Sequence, residues 1–259
     1  MRRVMDKAVI PRVLAVDAGN TRTKWGVHDG HVWSIGAPMP TSSLGDANAF
    51  RELPRDIGFD QIVISNVAGQ RVGELIRAAL AGFAAPMRFI ESTASQCGVT
   101  SRYERPEALG CDRWAAMIGA YSGTNAYTPT LVVMAGTALT VDALTADGVF
   151  LGGVIAPGPA LMRAALNRGT AQLPDTAGEY RSFARNTIDA IETGAIDACA
   201  GTIERMHAKL ATDSNAVPRC VASGGAIRAI ARHLPFPVAI NDNLVLDGLR
   251  KIALDNAAH

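Results

Sequence analysis

The sequence predicts an α/β protein made of two halves of duplicated topology, each a mixed sheet flanked by helices. The first sign is a segment that occurs twice. Its copies are Leu14-Ala15-Val16-Asp17-Ala18-Gly19-Asn20-Thr21-Arg22-Thr23-Lys24 and Leu131-Val132-Val133-Met134-Ala135-Gly136-Thr137-Ala138-Leu139-Thr140-Val141. Each is an apolar run, an Ala-Gly turn with a polar residue after it, and then alternating residues, which reads as strand–turn–strand. The second sign is that each copy leads through an Asp-Gly hairpin turn, Asp29-Gly30 or Asp147-Gly148, into a third strand. The third is that helical stretches then alternate with short apolar runs, as in α/β folds. The repeat is far longer than the ~20–50 residues of a solenoid unit, so it reads as one duplication.

Strands are expected over 12–18, 22–28 and 31–36, then a helix over 45–52, a strand at 62–65, a helix over 69–81 and a strand at 87–90. Residues 92–109 read as irregular and 112–121 as a small-residue helix carrying Trp114, Met117 and Ile118. The pattern restarts with strands near 130–134, 138–144 and 148–155 and a helix over 157–167, and 168–186 is again irregular. Residues 187–210 are the longest helix candidate, with Ile196, Cys199, Ile203, Met206 and Leu210 at three-and-four spacing. A strand at 218–222, a helix at 225–233, a strand at 237–240 and a helix over 243–254 complete the chain. A Gly/Thr/Asn/Pro stretch near 124–130 marks the lobe boundary, giving an N-terminal lobe over 1–126 and a C-terminal lobe over 127–259. The last helix is a candidate to pack back on the first lobe. A site is expected in the cleft between the lobes.

The 259 residues suffice for a large core, and 48% are hydrophobic and 19% charged, which suits a soluble globular protein. A net charge of +1 excludes a large basic footprint, so neither nucleic acid nor a membrane surface is expected. Cys97, Cys111, Cys199 and Cys220 form no C-x-x-C pair and read as reduced thiols of a cytoplasmic protein. The charged N-terminus, with its short apolar run broken by Pro11 and Arg12, is not a signal peptide. No apolar stretch approaches the ~20 residues that span a bilayer.

In Asp17–Lys24 a carboxylate ends a buried strand, and Gly19 lets a ligand approach the backbone. Asn20 and Thr21 offer side-chain donors and backbone N–H groups suited to an anion nest, and Lys24 adds a compact positive charge. Asp17 could hold Mg²⁺, through water, since that ion gives up its waters reluctantly. P-loop and G-x-S-x-G patterns are missing. The five histidines form no zinc pattern, and His28 and His31 read as solvated at a turn. Asp112 opens a helix after Gly110-Cys111. It reads equally as an N-terminal cap or as a general base facing the cleft. Ala222-Ser223-Gly224-Gly225-Ala226, between a strand and a helix, suits a flat ring or a phosphate.

Taken together, these residues resemble the type III pantothenate kinases, a family of the acetate and sugar kinase, actin and heat-shock chaperone superfamily with ribonuclease-H-like lobes (the actin-like ATPase fold). The first phosphate motif, D-x-G-N-T-x-x-K, is Asp17-Ala18-Gly19-Asn20-Thr21-Arg22-Thr23-Lys24. The G-x-D-R motif is Gly110-Cys111-Asp112-Arg113, with Tyr103 seven residues before its glycine. The second phosphate motif runs from Met134 to Asp142, G-G-x-I-x-P-G is Gly152–Gly158, and N-T-x-x-A-I is Asn186–Ile191. The resemblance covers nearly the whole chain. It implies that Asp17–Lys24 and Thr137 bind ATP, that Asp112 deprotonates the primary hydroxyl of pantothenate, and that Tyr103, Gly110, Cys111, Arg113 and Thr187 hold that substrate. It also implies Mg²⁺, a homodimer in which Thr187 serves the neighbouring subunit, and a monovalent cation, potassium or ammonium. Met134 stands where the family carries the aspartate that helps bind this cation. A weakened, displaced or absent site is therefore expected, built from backbone carbonyls or another carboxylate such as Asp142. Rival readings are an inactive accessory protein on the same fold and another sugar-acid kinase or phosphatase of the superfamily.

Overall fold

The computed structural model describes residues 10–46, 49–53, 58–121 and 128–257. The expectations for the N-terminus and for most of the lobe boundary fall outside them. Strands β1 (Val13–Ala18), β2 (Arg22–His28) and β3 (Trp33–Ile35) form an antiparallel meander, and the two-residue β4 (Met39–Pro40) adds to β2. Strand β5 (Gln61–Asn66), helix α1 (Gln70–Leu80) and strand β6 (Met87–Phe89) follow, with β5 parallel to β1 and β6 parallel to β5. The first sheet therefore runs β3-β2-β1-β5-β6.

A small hairpin, β7 (Ser95–Gln96) and β8 (Val99–Ser101), precedes helix α2 (Cys111–Tyr121). Strands β9 (Thr130–Ala135), β10 (Ala138–Leu144) and β11 (Val149–Pro157) repeat the meander. Helices α3 (Pro159–Gly169) and α4 (Thr187–Ser214), strand β12 (Arg219–Ser223), helix α5 (Ile227–Ala231), strand β13 (Val238–Ile240) and helix α6 (Leu244–Ala257) complete the chain. The second sheet runs β13-β12-β9-β10-β11-β8-β7. Its first five strands repeat the order of the first sheet, with β12 in the place of β5.

Alternate residues of each central strand enter different cores, as the period of two requires. Leu14, Val16, Ile62 and Ile64 pack with Ile76 and Leu80 of α1. Val13, Ala15 and Val63 face α2 and α6, and so do Val132, Leu144 and Phe150 from the second sheet. Leu131, Val133, Leu139 and Val141 face Ile196, Cys199 and Ile203 of α4. Helices α2 and α6 thus form a middle layer shared by both sheets. They cross closely: a methyl group on Gly248 would sit 1.8 Å from the Ala115 carbonyl oxygen, and one on Gly119 would sit 2.3 Å from that of Leu244. Helix α6 also packs on β1 and β5 of the first sheet.

Several local expectations are corrected. In place of a helix over 45–52 there is a 3₁₀ turn over Thr41–Gly45 and irregular turns at 49–52, with 47–48 outside the described residues. The apolar spacing there serves burial of Leu44, Phe50 and Leu53 against α1 without a helix. The stretch 92–109 contains β7 and β8, joined through Cys97 and Gly98 at positive φ, and β8 joins the second sheet beside β11. Helix α5 is shorter than 225–233 because the Ala226 N–H donates to the Ala135 carbonyl. His28 is buried rather than solvated. Its Nδ1 accepts the Gly30 N–H at 3.0 Å, its ring meets Trp33 edge-on, and burial lowers its pKa. Among the described residues no helix is long and apolar enough to cross a membrane.

Candidate active site

The duplicated hairpins face one another. The hydroxyl oxygens of Thr21 and Thr137 lie 2.8 Å apart across the cleft. The first turn is closed by the Gly19 N–H on the Arg22 carbonyl at 3.1 Å, the second by the Gly136 N–H on the Ala138 carbonyl at 3.0 Å. In β1–β2 Asp17 pairs with Lys24; in β9–β10 Met134 pairs with Thr140, so the second turn is one residue shorter. Thr41 braces the first turn. Its hydroxyl donates to the Gly19 carbonyl at 2.7 Å, and its N–H donates to that of Thr21 at 3.0 Å. Sequence reasoning missed Thr41, which stands about twenty residues away and carries no local motif. Asn20, Thr21 and Arg22 are exposed along the turn, whereas Ala18 and Thr23 are buried beneath it. Lys24 Nζ donates to the Asp242 carbonyl at 3.1 Å, and the Asp242 carboxylate is gripped by both terminal nitrogens of Arg228.

Asp17 lies near the end of β1, just before the first turn. Its Oδ1 is enclosed and has no hydrogen-bond partner. Burial pushes its carboxyl up to about 7, and the Asp112 carboxylate pushes the same way. Ser65 and Lys24 oppose them. Ser65 pairs with Asp17 in the parallel register of β1 and β5 and lies 3.5 Å from Cys111 Sγ. It is a second residue that sequence reasoning missed, hidden in an apolar strand.

Asp112 occupies the second position of α2, so it is not the residue before the helix. Gly110 holds that place, and its carbonyl accepts the Trp114 N–H at 3.0 Å. One Asp112 oxygen accepts the Arg113 N–H at 2.8 Å. Burial raises its pKa, opposed by that bond and by the Arg113 guanidinium. The negative charge of Asp112 near Asp17 thus helps Asp17 hold its proton longer. Burial also pushes up the pKa of Cys111, so a thiolate nucleophile is not supported there.

Arg113 is buried and clamps Asp142 through two bonds, Nε to Oδ2 at 3.1 Å and Nη2 to Oδ1 at 2.5 Å. Asp142 is fully buried, with both oxygens engaged. It is therefore not a free carboxylate for a cation, which overturns its suggested role as a replacement ligand. Gly153 lies opposite Asp142 in β11, and a Cβ there would sit 2.1 Å from Asp142 Oδ1. Breaking a buried ion pair costs about 3–5 kcal/mol. A Gly153→Ala variant is accordingly expected to lose several degrees of melting temperature, measured by calorimetry; an unchanged midpoint would show that the ion pair is not held by this packing. Tyr103 is exposed at the rim, stacked on Phe150 with ring centroids 5.8 Å apart, and it interacts with Arg113.

Thr187 is exposed at the first turn of α4. Asn186 caps that helix by accepting the Asp189 N–H at 2.9 Å. Helix α4 packs on the face of the second sheet opposite α2, so Thr187 is not grouped with Asp112 within one chain by these layers.

The enclosed, unpartnered Asp17 oxygen marks a place short of one positive charge. Among the described residues no cluster of three His, Cys, Asp or Glu side chains exists to cage a metal. A cation at Asp17 would therefore keep most of its water and take further ligands from phosphate oxygens, the habit of Mg²⁺. These residues fit that ion.

Two mixed α/β sheets of matching order, with duplicated hairpin turns meeting across a cleft, define an actin-like ATPase fold of the kinase type. Solved structures agree with the fold. A Campylobacter jejuni protein assigned to the Baf family of transcriptional activators superposes with a TM-score of 0.59 at 19% identity, covering 95% of this chain and 100% of that one. A Listeria monocytogenes protein assigned as an N-acetylmannosamine kinase gives 0.51 at 14% identity, covering 95% and 99%. The chain itself belongs to the type III pantothenate kinase family, whose model matches residues 13–209. A type III pantothenate kinase from Dechloromonas aromatica is 44% identical over 243 residues, covering 93% of this chain and 99% of that protein.

Proposed function

We propose that this protein transfers the γ-phosphoryl group of ATP to the primary hydroxyl of pantothenate, giving 4′-phosphopantothenate, the first step of coenzyme A synthesis. The observation that carries the reading is the meeting of the two turns at Thr21 and Thr137, 2.8 Å apart, with the neighbouring carboxylates Asp17 and Asp112 in the same region. Exposed polar turns such as Asn20-Thr21 suit a polyphosphate, and a carboxylate with a raised pKa beside them suits proton removal from an alcohol.

In this reading Asp17–Lys24 and Thr137 cradle the phosphates, and the Ser223–Ala226 turn of the C-terminal lobe (127–259) receives the base. The N-terminal lobe (1–126) supplies Asp112. Its carboxylate takes the hydroxyl proton as the substrate oxygen bonds to the γ-phosphorus and the bond to the ADP oxygen breaks, an in-line transfer. Mg²⁺, held by Asp17 through water, would neutralise charge on the phosphate oxygens. Tyr103, Gly110, Cys111 and Arg113 line the acceptor side. Arg113, fixed by Asp142, can still offer N–H groups beyond the two that it uses. Thr187 serves the neighbouring subunit of a cytoplasmic homodimer, which its exposure on the far side of the second sheet supports.

The test is product analysis after incubation with ATP, Mg²⁺ and pantothenate. A product heavier by one phosphate, carried on the primary alcohol by phosphorus NMR, is expected. ADP release with pantothenate recovered unchanged would contradict the assignment.

A further inference from the structure

The donor set around Met134 does not fit the monovalent cation that the family resemblance implies. Met134 is half-buried, with its side chain packed on the apolar cluster around α2. A thioether is a poor ligand for a hard cation. The residues paired with Met134 across the sheet are Thr140 and Ser223, both buried and neither charged. Two residues along the same face of β10, Asp142 has both oxygens bound by Arg113. Thr140 Oγ1 is enclosed and has no hydrogen-bond partner. The corresponding pair in the first hairpin is Asp17 with Lys24, so the two turns differ in polarity at the same level.

We propose that this chain's phosphate cleft works without a bound monovalent cation, the Met134–Thr140 pair standing in for a carboxylate and its counter-ion. The proposal rests on the kinase reading for its meaning, but its physics is independent of turnover. An aspartate and a potassium ion together carry no net charge, and neither does methionine. Exchanging the pair for an apolar side chain leaves the net charge of the site unaltered, and such exchanges of buried ion pairs are often neutral or stabilising. Restoring the carboxylate alone does the reverse. It places a charge beside Thr140 and Ser223, neither of which carries a compensating charge, so a Met134→Asp protein needs a cation.

The test compares thermal melting of the ligand-free protein in potassium chloride and in tetramethylammonium chloride at equal ionic strength, beside ADP release in both salts. The wild-type midpoint is expected to agree between salts within about 1 °C and turnover within about twofold, since a site that binds no potassium gains nothing from it by mass action. Met134→Asp is expected to melt lower in tetramethylammonium and to recover in potassium. Met134→Leu, which keeps the volume and loses the sulfur, is expected to show the same midpoint in potassium as in tetramethylammonium, whatever its absolute turnover, and covers the case in which the aspartate variant does not fold. A saturable potassium-dependent rise in the wild-type midpoint would overturn the proposal. So would potassium-dependent wild-type turnover, or a Met134→Leu protein that loses a salt response present in wild type. If the kinase reading alone fails, turnover is lost in every protein while the melting pattern stands.

Discussion

An Asp112→Asn protein is expected to fold at least as stably as wild type and to phosphorylate pantothenate about 10²–10⁴-fold more slowly, the range that general bases contribute. The amide oxygen still accepts the Arg113 N–H that Asp112 accepts at 2.8 Å, so α2 keeps its first turn. What is lost is the basic oxygen. The fall should lie mainly in kcat, because what is lost is the group that takes the proton. The pH profile adds a sign. Burial raises the Asp112 pKa, and a base acts only when ionised, so wild-type kcat/KM should fall on the acid side above the usual carboxylate range. That limb should flatten in the variant. Equal rates in the two proteins would remove Asp112 from the mechanism.

Asp17→Asn is expected to abolish Mg²⁺-dependent turnover while making the ligand-free protein more stable at pH 8. Folded Asp17 is raised to about 7 from 3.8. A carboxyl whose folded pKa is raised costs nothing at low pH, where both states are protonated. As pH climbs from about 4 toward 7 the unfolded chain releases its proton while the folded one holds it, so stability falls. Above 7 the penalty is complete. The asparagine variant escapes it, so the two melting curves should meet near pH 4. They should diverge by on the order of 2 kcal/mol by pH 8, after discounting for solvent near the cleft. Magnesium with nucleotide should narrow the gap by stabilising wild type alone. Parallel curves from pH 4 to 8 would mean that Asp17 is not a strained carboxylate.

The duplicated architecture was legible because the two Ala-Gly hairpins are local and their neighbouring strands are apolar on both faces, the pattern of covered strands. Asp17, Thr21, Thr137 and Asp112 were legible for the same reason: each sits in or beside a turn that its own sequence dictates. What escaped was non-local. Asp142 lies in an apolar strand, and only the close approach of α2 shows that it anchors Arg113. Thr41 and Ser65 act through strands far away in sequence. The β7–β8 hairpin turns on Cys97 at positive φ, a conformation its residue type does not advertise. His28 reads as solvated beside its turn, yet it is buried with Trp33 packed edge-on against it. Gly153 was visible only as part of a motif; the reason for a glycine is the ion pair beneath it.

The central claim is that the facing turns and the neighbouring carboxylates Asp17 and Asp112 serve one acceptor alcohol. The direct measurement is ADP release by the wild-type protein at saturating ATP and Mg²⁺, with pantothenate present and omitted. Turnover that depends on pantothenate, saturates with it and yields one ADP per phosphorylated product is the expected result. ADP release at the same rate without pantothenate, or none with it across a range of salts, would contradict the account.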